Sequence, residues 1–218
     1  MEILYEDEDV IVVVKPAGIP TQTANIRQKD LVDEIKAYLK DRDGTDREPY
    51  LGIIHRLDQP VSGILVFAKN ENAAASLSDQ IQKGVFHKYY MAEVEGVPEF
   101  HPDEDGIWAR LTDSIIKETK QNRAVITDAG YKNAKKAELL YRVVSVDRAS
   151  DRCLLEISLI TGRFHQIRAQ MSNMGHPIAG DTKYGAREKT DSIALKAYKL
   201  EFIHPKSGKQ MSFGLNRV

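Results

Sequence analysis

Residues 52–66 read GIIHRLDQPVSGILV. A polar cluster, His55-Arg56-Leu57-Asp58, stands between two apolar runs, Ile53-Ile54 and Ile64 onward to Ala68. Gln59-Pro60 and Ser62-Gly63 supply turn chemistry between them. The stretch is therefore predicted as strand, turn, strand, with a carboxylate at the mouth of a buried strand. Such a carboxylate is costly unless it is paired or used. Arg56 and Asp58 lie two apart, so an extended segment would project both to one side. A solvated turn with an incidental ion pair would explain the segment equally well.

Strand signals recur outward from this stretch. Ile3 to Tyr5 and Val10 to Val14 form two β-type runs across the acidic turn Glu6 to Asp9, before the break at Lys15-Pro16-Ala17-Gly18. A helix is predicted over 30–40, with Asp30 as N-cap and Leu31, Ile35, Tyr38 and Leu39 at helical spacing. Asn70 caps a second helix over 71–83. Further strands are predicted at 86–94, 123–127, 137–146, 153–160, 194–203 and 210–214. Thr161 is the predicted N-cap of a third helix, whose apolar face is Phe164, Ile167, Met171 and Met174. Arg168 then falls about two turns in, sharing a face with His165. Strands that do not alternate regularly with helices point to an α+β fold with a mixed, mostly antiparallel sheet. One domain spanning 1–218 is the simplest division.

The composition is that of an ordinary globular chain, 42% hydrophobic and 29% charged. No apolar run approaches the ~20 residues of a membrane span. The acidic N-terminus does not read as a secretory signal. A single cysteine, Cys153, excludes an internal disulfide and suits a cytoplasmic setting. The net charge of −1 gives no global sign of a nucleic-acid partner. Residues 117–142, however, hold seven basic side chains against three acidic ones, and phosphate binding depends on local charge. The six histidines are scattered, so no metal site is expected, and no nucleotide-binding glycine loop or nucleophile elbow occurs.

Taken together, the motifs resemble the RluA-type family of pseudouridine synthases. The match comprises His55-Arg56-Leu57-Asp58 with Ser62-Gly63, Lys88-Tyr89-Tyr90-Met91-Ala92 with Val94 and Gly96, and Thr161 to Arg168. It continues through Gly175-His176-Pro177-Ile178-Ala179-Gly180-Asp181, Tyr184-Gly185 and Leu195 to Pro205. It departs from the usual pattern at Val61, Ala169-Gln170 and Lys196, positions expected to bear on RNA contacts rather than chemistry.

The resemblance implies a pseudouridine synthase catalytic fold, with the catalytic cleft across the sheet, in a compact member without an S4 domain. It implies isomerisation of uridine in ribosomal and/or transfer RNA stem-loops by an enzyme needing no cofactor or metal, and a monomer is the default expectation. Asp58 is the implied catalytic carboxylate, Arg168 its counter-charge and Tyr90 the platform beneath the uracil. Arg56 would fill the gap left by the flipped base, and Ile167 would wall the pocket. His55, Leu57, Arg163, His165 and Gln166 would complete the substrate-binding set. The rival expectations are a nucleosidase-type glycosidase, which needs a second acid, and an RNA-binding or chaperone protein that keeps the pocket unused.

Overall fold

A computed structural model describes residues 1–25, 27–99, 101, 107–190 and 192–216. The chain forms two compact units, one of residues 1–87 with 197–218 and one of residues 88–196.

In the first unit, β1 (Glu2–Glu6) pairs antiparallel with β2 (Val10–Lys15), and β2 with β4 (Ser62–Ala68). The short β3 (Gly52–Ile53) also lies on β4. At the C-terminal end, β10 (Leu195–Ile203) forms a hairpin with β11 (Gln210–Gly214). Val10 to Val13 are each 0% exposed, so both faces of β2 are covered. That is why this run is continuously apolar instead of alternating. Helix α2 (Glu71–Lys83) sets Ala73 and Leu77 into a core with Val10, Val12, Ile64, Val66, Phe86 and Phe202.

The helix starts follow the predicted caps. Asp30 accepts the Asp33 amide at 2.9 Å ahead of α1 (Leu31–Asp43), and Asn70 accepts the Ala73 amide at 2.8 Å ahead of α2. Helix α1 runs three residues past its predicted end and stops at Gly44, which takes the left-handed conformation. Gly63 has a different reason to be glycine: a Cβ there would lie 2.2 Å from the Ala197 carbonyl oxygen.

The second unit is an antiparallel succession of β5 (His87–Glu95), β9 (Arg152–Leu159), β8 (Lys135–Asp147), β6 (Ala109–Glu118) and β7 (Arg123–Thr127). Strand β6 is the element the sequence pattern does not announce. Thr112, Asp113 and Ser114 interrupt its apolar residues, although it is paired on both sides. Helix α3 (Gln166–Asn173) contributes Ala169 to a core with Ile115, Ala124, Ala137 and Tyr184.

Helix α3 starts four residues later than predicted, and Thr161 is not its N-cap. The cap is His165, in the left-handed conformation at φ 49°. The Thr161 hydroxyl is engaged elsewhere: it accepts the Glu138 amide and donates to Gln166 Oε1, both at 2.8 Å. Arg168 consequently sits in the first turn of α3 rather than two turns in. Among the described residues, no helix is long and apolar enough to cross a membrane.

Candidate active site

The segment carrying Asp58 has little secondary structure of its own, so its shape must come from its neighbours. Residues 15–21 supply it. The Thr21 hydroxyl donates to the Leu57 carbonyl at 2.9 Å and accepts the Leu57 amide at 3.1 Å. Gly18 and Gln59 are joined twice, from the Gly18 amide to the Gln59 carbonyl and from Gln59 Nε2 to the Gly18 carbonyl, each at 2.9 Å. Lys15 is fully buried, and its ammonium donates to the carbonyls of Pro16, Ile19 and Gln59 at 2.9, 2.6 and 3.1 Å. The backbone is thus held at the residues immediately before and after Asp58. Leu57 anchors the segment inward at 6% exposure, while Arg56 is exposed and Asp58 partly buried.

Lys15 also matters electrostatically. Burial pulls its ammonium down to about 8, and the Asp58 carboxylate opposes that shift. A buried cation close enough to feel Asp58 favours the ionised form of the acid. The histidine of the signature has a structural attachment: the Val66 amide donates to His55 Nε2 at 3.3 Å, and the ring meets Phe86 edge-on.

In the second unit, Tyr90 lies on β5 opposite Ile157 and is 6% exposed. The segment 161–168 turns on Gln166, whose amide is fully engaged. Its Oε1 accepts the Thr161 hydroxyl and the Arg163 amide, and its Nε2 donates to the Glu138 carbonyl and to Gln170. Gln170, at 0% exposure, continues the chain to Asp113 at 2.7 Å. The departure from the family pattern at 170 therefore serves internal packing rather than RNA contact. Gln166 thus braces the segment from within.

Arg168 is held by Asp181, with Nε donating to Oδ2 at 2.6 Å and Nη2 to Oδ1 at 2.8 Å. Both side chains are buried, and the guanidinium lies 4.9 Å over the Tyr184 ring. This side-on pairing engages two of the five guanidinium N–H groups. Tyr184 also fixes His165. Its hydroxyl accepts the Ala124 amide at 2.7 Å, leaving its own proton for His165 Nδ1 at 2.8 Å. Desolvation, then the charges of Arg168, Lys183 and Lys117, push His165 down to about 3, so it is neutral at physiological pH. Its ring stacks on Phe164 at 3.8 Å. Ile167 is buried, and Arg163 is exposed with Nε on the Lys136 carbonyl.

Lys15, Thr21, Asp181 and Tyr184 do not emerge as functional residues from the sequence pattern. A lysine ending the apolar run Val10 to Val14 was the available signal for the first. An acid in the otherwise apolar Ile178-Ala179-Gly180-Asp181 stretch was the signal for Asp181. Asp7, Asp9 and His204 present three ligand atoms within 4.8 Å of one another, the one such group among the described residues. Asp7 accepts from the Tyr5 hydroxyl and from the Asp9 and Val10 amides, and its carboxylate lies 2.7 Å from His204 Nε2.

Comparison with known proteins identifies the scaffold. A family model described as RNA pseudouridylate synthase matches residues 9–173. An uncharacterized RNA pseudouridine synthase, YlyB, of Bacillus subtilis is 36% identical over 216 residues, covering 98% of this chain and 68% of that protein. The ribosomal large subunit pseudouridine synthase D of Zymomonas mobilis is 34% identical over 228 residues, with the same two coverages of 98% and 68%. Among solved structures, human RNA pseudouridylate synthase domain containing 4 aligns over 99% of this chain and 88% of its own, with a TM-score of 0.77 at 22% identity, a likeness of fold. The α+β chain with an acid-bearing His-Arg-Leu-Asp segment is a member of the RNA pseudouridine synthase family, an isomerase that acts on uridine in RNA.

Proposed function

We propose that Asp58 is the carboxylate that drives the isomerisation, with Tyr90 beneath the uracil and Arg168 as a counter-charge. The observation carrying this reading is the bracing of the Asp58 segment by Lys15, Gly18 and Thr21, with a buried ammonium favouring the ionised acid. Breaking the C1′–N1 bond builds positive charge on the ribose, which an ionised carboxylate stabilises. Asp58 enters either by attacking C1′ or by taking the C2′ proton; both need it deprotonated. The uracil then turns and C5 joins C1′, displacing the Asp58 carboxylate in the first route or with the proton returned to C2′ in the second; C5 loses its proton and N1 takes one up. Water must be kept from the ribose throughout, and Leu57, Tyr90 and Ile167 are the apolar groups suited to exclude it.

Arg56 is exposed and has no carboxylate partner among the described residues, which suits it to occupy the stack when the uridine flips. Such extrusion costs a few kcal/mol, least in unpaired RNA. Arg163 is likewise open to RNA. The internal bonding of His55, His165 and Gln166 supports a positioning role for these three in place of direct substrate contact. Residues 1–218 act as one catalytic domain, as a monomer, in the cytoplasm. The substrate is a stem-loop of ribosomal or transfer RNA, the ribosomal choice supported by the name of the Zymomonas relative. The glycosidase and RNA-chaperone alternatives draw no support from the comparisons.

The test is to map pseudouridine across ribosomal and transfer RNA in a strain lacking this protein, complemented by wild type or Asp58→Asn. The expected result is loss of one or a few sites, restored by wild type and not by the variant. Restoration by Asp58→Asn would refute the catalytic assignment.

A further inference from the structure

Lys88 and Tyr90 stand two residues apart on β5 and so project from the same face, about 6.8 Å apart along the strand. The Lys88 side chain is partly buried, and its ammonium lies beside Gly162. A Cβ at Gly162 would come within 3.3 Å of its Nζ. Among the described residues, no hydrogen-bond acceptor or carboxylate reaches this ammonium. The other buried cations are all answered: Lys15 by three carbonyls and Arg168 by Asp181. Burial holds Lys88 below the usual lysine range, and no neighbouring negative charge raises it. A partly desolvated cation without an anion is half of an ion pair.

We propose that Lys88 binds a backbone phosphate of the RNA, at or next to the nucleotide whose base lies on Tyr90. The inference rests on Tyr90 being the platform for that base. One strand repeat separates the two side chains, which carries Lys88 beyond the uracil edge and toward the sugar–phosphate chain. An ammonium is a compact point charge that suits a phosphate oxygen. An anion arriving there would complete the pair and oppose the downward pull of burial on Lys88. Lys88 stands on strand β5, so the contact would also fix how deep the nucleotide enters.

The test uses an in vitro transcribed stem-loop RNA that the wild-type protein turns over. Binding is measured between 50 and 200 mM KCl, about the range over which counterion release is resolved, with Lys88→Met and Lys88→Gln in an Asp58→Asn background that leaves the RNA unreacted. Loss of one phosphate contact flattens the slope of log affinity against log salt by about 0.7–0.9. Lys88→Arg keeps the wild-type slope. With Asp58 intact, Lys88→Gln should raise KM roughly tenfold and change kcat less than threefold, as expected for uniform binding. An unchanged slope in both neutral variants overturns the proposal, even if kcat falls. Full turnover by Asp58→Asn or Tyr90→Ala would instead overturn the catalytic reading, and the salt slope would still report on Lys88.

Discussion

Replacing Asp181 by Asn removes the anion from a buried pair while nearly preserving shape. The two bonds it makes to Arg168, 2.6 and 2.8 Å, join side chains that are 2% and 5% exposed. Losing one partner of a buried pair costs roughly 3–5 kcal/mol, because the remaining buried charge gives up its two-point anionic contact. At about 2–4 °C per kcal/mol for a chain of this size, thermal unfolding should fall by about 6–20 °C. The catalytic effect follows from position. A guanidinium tethered at two of its N–H groups has a fixed plane, and loss of fixed geometry costs about 100-fold in rate. Arg168→Met alone should show comparable losses in both quantities. The double variant Arg168→Met, Asp181→Asn removes both charges and should regain much of the lost stability. Its single-turnover rate should be no lower than that of Arg168→Met alone, because Asp181 acts through Arg168. The assays are thermal unfolding and single-turnover release of tritium from C5-labelled uridine in RNA. Losses that multiply in the double variant, or an Asp181→Asn protein with wild-type stability and rate, would refute the reasoning.

Three further outcomes are expected. Lys15 has its folded pKa depressed to about 8 from an unfolded value of about 10.5, so above pH 8 the folded state binds fewer protons than the unfolded one. Stability contributed at Lys15 therefore rises between pH 8 and 10.5, while activity falls over the same range as the cation near Asp58 is lost; Lys15→Met should lack this alkaline limb in a pH–rate profile. Thr21→Val leaves the Leu57 amide and carbonyl without their buried partner, a cost of roughly 1–3 kcal/mol by denaturant unfolding. Thr21→Ser should retain both stability and kcat, and equal behaviour of the two variants would contradict the bracing role. Arg56→Ala should slow turnover of a base-paired target more than of an unpaired loop, and equal slowing would count against base flipping.

Much of this architecture could be read from local pattern. Asp30 and Asn70 announce their helices because a short polar side chain at a cap answers a backbone amide three residues on. Strand β2 is legible because burial on both faces demands an unbroken apolar run. The pattern fails where distant partners decide the outcome. Thr161 looks like an N-cap, yet β8 captures its hydroxyl through Glu138, and the chain stays non-helical until His165. Strand β6 is hidden because Asp113 faces Gln170, so a polar residue occupies an inward position. The Asp58 segment itself was recognisable, but its supports were not. Lys15 and Thr21 act on it from 36 or more residues away, and no local spacing encodes that contact.

The proposed chemistry turns on the ionised carboxylate of Asp58. The decisive measurement is tritium release from C5-labelled uridine in RNA by purified Asp58→Asn, beside its RNA affinity. The expected result is release reduced to background with affinity within about threefold of wild type, since only transition-state stabilisation is lost. Release at the wild-type rate would contradict the central claim.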